Sequence, residues 1–393
     1  MSLDTPMNAP ERTLYIAVVT ETYTPDINGV AMTCERMVSG LSRRGHRIQL
    51  VRTQDPKAPI AEHVDEDIRV RGFAVPWYPD VRFGLITARR LIRAWTKDRP
   101  DIVQVVTEGP LGLAALRAAR KLGIPAISDF HTLFDHYTRY YKMGWMQGMA
   151  EGYLRWFHHQ SLATLVPTNA LRETLAAHGY HDLKVIGRGV DTERFAPAHR
   201  SSALRKTWGV DDDTPVALYV GRLAAEKNLD LAIEAWHAMR SAHPGCRMLF
   251  VGDGPMRQAL EAAAPEALFV GSKKGAELSA HYASADIFLF PSLSETFGNV
   301  TQEAMASGLA VLAFDHAAAG TLIQPGQNGL LATPGDNSTF INQAVHLVND
   351  AGMRQRFGRQ ARQDALTHDW NEVTIKLEEL LMHYAEQREV TAA

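Results

Sequence analysis

Two successive series of short apolar runs constrain this chain more than any other feature of its sequence. Each run is followed by a turn and then by a stretch with helical spacing. The first series comprises residues 14–20, 46–53, 101–106, 125–129 and 163–167, with helical patterns at 31–44, 111–122 and 170–178. The second comprises 216–220, 247–251, 268–270, 286–290, 309–314 and 329–332. Runs of Val, Ile and Leu without polar alternation suit parallel strands buried on both faces. Strands alternating with helices imply an α/β fold with doubly wound sheets. The rhythm restarts near residue 216, and 393 residues exceed one ordinary core, so two domains are expected. The polar stretch 197–202 is the expected linker. Residues 339–384 read as mostly helical, broken near residues 368–370.

Charge and cysteine content narrow the function classes. Net charge is −3, which offers no overall attraction to nucleic acid. The two cysteines, Cys34 and Cys246, are far apart and suggest neither a disulfide framework nor a metal site. Residues 1–12 are polar, lack the apolar core of a signal peptide and read as a disordered lead-in. No run of eighteen apolar residues reads as a membrane span. A cytoplasmic protein is expected, meeting a membrane, if at all, from its inner surface.

The most informative segment follows the run at 286–290. It reads Ser294-Glu295-Thr296-Phe297-Gly298-Asn299-Val300-Thr301-Gln302-Glu303, and it opens a helix. Ligands of open α/β sheets bind at the carboxyl ends of strands, where helix N-termini offer free N–H groups. Free amides suit a phosphate, and carboxylates suit hydroxyl groups. A nucleotide-sugar carries both. Arg222 and Lys227 stand in a second such loop, after the run at 216–220, where two cations suit one diphosphate.

The string Pro-Ser-x-x-Glu-x-Phe-Gly-x-x-x-x-Glu-Ala-Met-Ala-x-Gly resembles the Glu-x7-Glu signature of retaining GT-B glycosyltransferases of the family 4 type. Gly221-Arg222-Leu223-x-x-x-Lys227 and Asp129-Phe130-His131-Thr132 match the same family. The segment Glu21-Thr-Tyr-x-Pro-x-Ile-Asn28-Gly29-Val30 is similar to its α-mannosyltransferase and glycosyl-diacylglycerol synthase branch. The resemblance runs from residue 14 to the last helix. It implies two Rossmann-like domains facing a central cleft, one at 13–197 and one at 198–368. A helix at 369–393 would cross back to the first domain. Residues Gly187 to Phe195 resemble the family segment that precedes the crossing.

The resemblance also assigns roles. Arg222 and Lys227 would hold the diphosphate, and Glu303 the ribose hydroxyls. Glu295, with the backbone of Phe297, Gly298, Asn299 and Val300, would hold the transferred sugar and the distal phosphate. His131 would face that sugar. Gly29 would lie beside the donor phosphates, with Asp26 and Asn28 on the acceptor side. Gly252, in a Gly-x-Gly strand end, and the turn Gly271-Ser272-Lys273 would line the donor. Glu108, at a strand end, is a further acceptor candidate. His136, His158 and His159 read as structural or surface. No metal or other cofactor is expected. The implied reaction moves a hexose from a UDP- or GDP-sugar to a lipid such as diacylglycerol, or to a soluble or polysaccharide-precursor acceptor. The rival readings are an epimerase on the same fold and a non-catalytic sugar-nucleotide sensor.

Two stretches suit an apolar or membrane partner. Residues 83–99 place Leu85, Leu91, Ile92 and Trp95 on one face, flanked by Arg82, Arg89, Arg90, Arg93, Lys97 and Arg99. With Trp77 and Tyr78 they resemble an interfacial helix on an anionic membrane at 77–99. Residues 139–157 are rich in aromatics and Met, as an apolar acceptor site or a buried helix would be.

Overall fold

The computed structural model describes residues 12–26, 28–54, 61–75, 78–84, 86–131, 144–295 and 297–391. Most of the expected lead-in, Trp77, Leu85, Thr132, His136, residues 139–143 and Thr296 lie outside them. The chain divides into two compact units. One is Met1–Arg188 with Trp370–Ala393, and the other is Gly189–Asp369.

The first unit contains β1 (Tyr15–Thr20), α1 (Gly29–Arg43), β2 (Arg47–Gln54), β3 (Glu66–Val75), β4 (Tyr78–Gly84), α2 (Ala88–Lys97), β5 (Ile102–Val105) and α3 (Pro110–Leu122). It continues with β6 (Ala126–Asp129), α4 (Gly144–His158), β7 (Thr164–Val166), α5 (Asn169–Ala177) and β8 (Leu183–Val185). The sheet order is β4-β3-β2-β1-β5-β6-β7-β8, parallel except for the β3–β4 pair. Every residue of β1 is buried, and its side chains divide between the two faces as a two-residue period requires. Ile16 and Val18 join one core cluster, whereas Ala17 and Val19 join the other.

The second unit contains α6 (Ser202–Thr207), β9 (Val216–Val220), α7 (Leu229–Ala242), β10 (Arg247–Val251), α8 (Arg257–Ala263), β11 (Leu268–Phe269) and α9 (Gly275–Ser284). There follow β12 (Ile287–Phe290), α10 (Asn299–Ala306), β13 (Ala310–Phe314), α11 (Ala317–Leu322), β14 (Gly329–Ala332), α12 (Asn337–Asn349) and α13 (Ala351–Ala365). Its sheet order is β11-β10-β9-β12-β13-β14, parallel throughout. In both sheets the order reverses beside the first strand, between β1 and β5 and between β9 and β12. These are the switch points at which such sheets bind ligands.

The last helix, α14 (Trp370–Thr391), belongs to the first unit, where Val373, Leu377 and Leu381 join the core on the α1 face. Glu378 accepts two bonds from Arg44, Nε to Oε1 at 2.8 Å and Nη2 to Oε2 at 2.5 Å. It also lies 2.6 Å from His46 Nε2. The Leu14 amide donates to His46 Nδ1, so the His46 proton sits on Nε2 and is directed at Glu378.

Three details depart from the sequence expectations. Residues 189–197 were expected to close the first unit, but they belong to the second. Val190 pairs with Asp369, and Phe195 sits in the second unit's core. The expected linker at 197–202 is likewise inside that unit, partly as a 3-10 turn at Pro197–His199. Residues 83–99 do not form one helix. Phe83 and Gly84 end β4, and α2 starts at Ala88. Leu91 and Trp95 are buried in the unit's own core, so this apolar face is already covered. The outer face, with Arg89, Arg90, Arg93 and Lys97, is exposed.

Candidate functional site

The second unit gathers charged side chains at the β9–β12 switch point. The loop after β9 carries Arg222 and Lys227, and the loop after β12 carries Glu295. Lys227 Nζ lies 2.5 Å from Glu295 Oε1, and the Ser292 hydroxyl donates to the same oxygen at 2.9 Å. Two backbone acceptors fasten the loops further. Ser294 Oγ donates to the Glu226 carbonyl at 2.8 Å, and Asn228 Nδ2 to the Pro291 carbonyl at 3.3 Å. Arg222 is exposed, while its carbonyl accepts the Tyr219 hydroxyl at 3.1 Å.

Helix α10 begins immediately beyond. Its N-cap is Gly298, at φ +89°, a left-handed conformation that favours glycine. Gly298 has no side chain with which to cap this end, and the Thr301 amide donates to the Gly298 carbonyl at 3.0 Å, which leaves the Asn299 and Val300 backbone at the helix start. Phe297 is buried and its carbonyl accepts the Ala318 amide at 2.8 Å, which anchors the turn. Glu303, one turn in, accepts the Tyr282 hydroxyl at 2.8 Å. Burial raises its carboxyl above the ordinary value, against the Tyr282 hydrogen bond and the charge of Arg194.

The glycine loops beside this site pack closely. A side chain at Gly252 would collide with the Gly221 carbonyl, and one at Gly254 with the Leu223 carbonyl. The Gly252 amide donates to the Gly271 carbonyl at 3.0 Å, which joins the β10 and β11 ends. Beyond Gly271, Ser272 is exposed and Lys273 half-buried.

The first unit has its own cluster at the β1–β5 switch point and the end of β6. Glu21, after β1, accepts the amides of Leu111 at 3.1 Å and Gly84 at 3.3 Å, and a side chain at Gly109 would fall on its carboxylate. Burial is the main reason that its carboxyl rises to about 7, with the nearby Glu108 charge adding to it. Glu108, after β5, lies 3.6 Å from His158 Nε2. Burial alone would raise its carboxyl, but chiefly the hydrogen bond of His158 outweighs that and holds it below the ordinary value. Asn28 caps α1 through the Ala31 amide and donates to Thr22 Oγ1, which in turn donates to Asp26. Asn28 and Gly29 are exposed at that helix end.

His131 follows β6, with its side chain 7% exposed. Its Nδ1 is 2.8 Å from Arg188 Nη2, and its Nε2 is 3.6 Å from Asp129 Oδ2. Gln104 Nε2 reaches both Asp129 oxygens, at 3.1 and 3.0 Å. Sequence reasoning missed Arg188 and took His158 as structural or surface. His158 is fully buried, hydrogen-bonded to Ser128 at 2.9 Å and directed at Glu108. His159 is exposed. The one available signal for Arg188 was its position between Gly187 and Gly189 in a segment already singled out.

In the second aromatic stretch, Leu154 and Phe157 are buried, whereas Met149, Tyr153 and Trp156 are exposed along one face of α4. The Tyr153 hydroxyl donates to the Glu108 carbonyl at 2.7 Å. Among the described residues, no helix is long and apolar enough to cross a membrane. No cluster of three His, Cys, Asp or Glu side chains there is placed to hold a metal ion.

Two Rossmann-like units of this kind define the class of GT-B glycosyltransferases. The Glycosyltransferase Family 4 profile matches residues 27–194, and the Glycosyl transferases group 1 profile matches 214–350. The chain is 34% identical to a GDP-mannose-dependent alpha-mannosyltransferase of Mycolicibacterium smegmatis, over 94% of this chain and 96% of that protein. It is 26% identical to the alpha-monoglucosyldiacylglycerol synthase of Acholeplasma laidlawii, over 84% and 87%. In structure it is similar to Anabaena HepE, solved in complex with UDP. The TM-score is 0.76 and the identity 18%, over 94% of this chain and all of that one. The chain belongs to glycosyltransferase family 4.

Proposed function

We propose that this glycosyltransferase moves a hexose from a nucleoside-diphosphate sugar to an acceptor hydroxyl, with retention of configuration and without a metal ion. GDP-mannose is the first donor to test, given the mannosyltransferase relative. The observation that carries the reading is the Lys227–Glu295 pair at the β9–β12 switch point, with Arg222 on the same loop. The cations would take up charge as the bond from the anomeric carbon to the diphosphate oxygen breaks. The acceptor oxygen would form its bond on the face that the diphosphate leaves. The departing phosphate oxygen would take the acceptor's proton. The open end of α10 would hold the distal phosphate, with Glu295 on the sugar and Glu303 on the ribose. The turn Gly271–Lys273 and Gly252 would line the donor, with Gly29 beside its phosphates. In this reading His131 meets the donor sugar, and Asp26, Asn28 and Glu108 meet the acceptor.

The acceptor in this proposal is a lipid such as diacylglycerol. Support comes from the glycolipid synthase relative and from the exposed Met149, Tyr153 and Trp156, one of which is bonded to the Glu108 loop. The basic face of α2 would add attraction to an anionic membrane, worth about 1 kcal/mol per cation near the surface. In this reading the enzyme would act at the inner face of the cell membrane.

The test is incubation with GDP-mannose, UDP-glucose and related donors, with and without diacylglycerol in anionic vesicles, in buffer with and without EDTA. Expected is an α-linked glycolipid, read by the anomeric proton coupling, at equal rates with chelator. A β-linked product would overturn retention, and loss of activity in EDTA the metal-free reading. Epimerised sugar without an acceptor would favour an epimerase, and donor binding without turnover on any acceptor a sensor.

A further inference from the structure

Arg188 is the last residue of the first unit, and it is only 7% exposed. It faces His131 from a position 57 residues away in sequence, Nη2 to Nδ1 at 2.8 Å. A guanidinium carries donors and no acceptor. The ring nitrogen that meets it must therefore present a lone pair. We infer that Arg188 fixes His131 as the neutral Nε2–H tautomer, so that this histidine acts as a hydrogen-bond donor and not as the base of the reaction.

The other ring edge supports the same assignment. Nε2 lies 3.6 Å from Asp129 Oδ2, and a carboxylate beside a ring nitrogen favours a proton there. Asp129 cannot turn away freely, because Gln104 holds both of its oxygens. Arg188 thus faces one edge of the ring and Asp129 the other, with the Glu108 carboxylate near its backbone. Glu108 Oε1 lies 3.4 Å from the His131 backbone amide. Burial draws the Arg188 guanidinium down to about 10, which leaves it charged at neutral pH.

The inference about tautomer stands on geometry alone, whereas its catalytic meaning rests on the function proposed above. If His131 meets the donor sugar, its one lone pair, on Nδ1, is already taken by Arg188, so the ring offers no free base. The acceptor's proton must then go elsewhere, as it does when the departing phosphate takes it. Arg188 is in this sense a positioning residue, acting through His131.

Long-range proton–nitrogen spectra of the full-length protein, labelled with 15N-histidine, read the tautomer directly. At about pH 8 an ordinary imidazole is neutral. The His131 signals are assigned as those missing from H131Q. Expected is the Nε2–H pattern in the wild type, kept in R188K and replaced by a tautomer mixture in R188M. An Nδ1–H pattern in the wild type, or an unchanged pattern in R188M, would overturn the inference. In turnover, R188M should lower kcat with little change in the donor KM, short of the roughly 10²–10³ loss that deletion of a preorganised donor brings. R188K should recover part of it. Full activity in H131Q would remove His131 from the reaction but leave the tautomer result intact, which separates the two failures.

Discussion

Lys227 Nζ and Glu295 Oε1 stand 2.5 Å apart, joining the loops that leave β9 and β12. They are 68 residues apart in sequence, and each is half-buried. The pair brings a cation and an anion to the strand-end position where doubly wound sheets bind ligands. A half-buried pair of this kind contributes little stability, about 1 kcal/mol or less. Its placement therefore points to binding more than to folding.

K227A and E295A should each lower turnover by roughly 10²–10³, the range for removing one preorganised charge or donor. The melting midpoint should fall by only a few degrees, about 2–4 °C per kcal/mol for a unit of this size. Steady-state rates and thermal melts of the same preparations check both halves. Near-normal turnover in both variants would contradict the assigned roles.

G252A should act differently, through the backbone. Gly252 has φ +146°, and a Cβ there would meet the Gly221 carbonyl rather than open space. The β9 and β10 loop ends would have to separate, which breaks the bond from the Gly221 amide to the Val251 carbonyl. The expected cost is about 1–3 kcal/mol. Weaker donor binding should accompany it, because Arg222 follows Gly221 directly. Thermal melts and donor titration check this.

Glu21 yields a pH prediction. Its folded carboxyl sits near 7, above the ordinary 4.5, chiefly because it is buried. The folded state therefore binds this proton more tightly than the unfolded chain does. The resulting stability is fully present below pH 4.5 and is lost as pH rises through about 7. E21Q keeps an oxygen for the Leu111 and Gly84 amides but cannot ionise. Relative to the wild type, its melting point should rise across that interval. E21A should be destabilised at every pH, by about 1–3 kcal/mol, because two amides lose their acceptor.

Much of the fold was readable because the strands are buried on both faces. Ala17 and Val19 serve one core while Ile16 and Val18 serve the other, so β1 reads as an unbroken apolar run. β3 was not read, because it carries Glu66, Asp67, Arg69 and Arg71. Its charges are satisfied across the sheet, as where Arg52 pairs with Asp67 at 2.9 Å with both side chains nearly buried. The break between α12 and α13 was also missed. Asp350 caps α13 through the Met353 amide, and one capping side chain leaves little trace in a helical pattern. The loops carrying Arg222, Lys227 and Glu295, and the helix carrying Glu303, were legible from local spacing. Arg188 was not, because its partner His131 is distant in sequence and no periodicity links them.

The last helix gives the final prediction. Glu378 holds Arg44 and His46, one at the end of α1 and one just before β2. Its surroundings are almost dry, at 5% exposure, which by itself would raise the carboxyl. The hydrogen bonds of Arg44 and His46, with the Arg44 charge, reverse that and hold it below 4.5. The stability from this group is thus present above pH 4.5 and fades as acid protonates the folded state. Removing one member of a buried pair leaves the other uncompensated, at about 3–5 kcal/mol. E378A should therefore lower the melting point by roughly 10 °C near neutral pH. The deficit relative to the wild type should shrink in acid, opposite in sense to the Glu21 effect. Hydrogen exchange should show faster opening of α14 than of β9 in this variant, because Glu378 is a buried polar anchor between this helix and α1 and β2 of its own unit. Equal acceleration in both would mean that the pair stabilises the whole chain and not that helix.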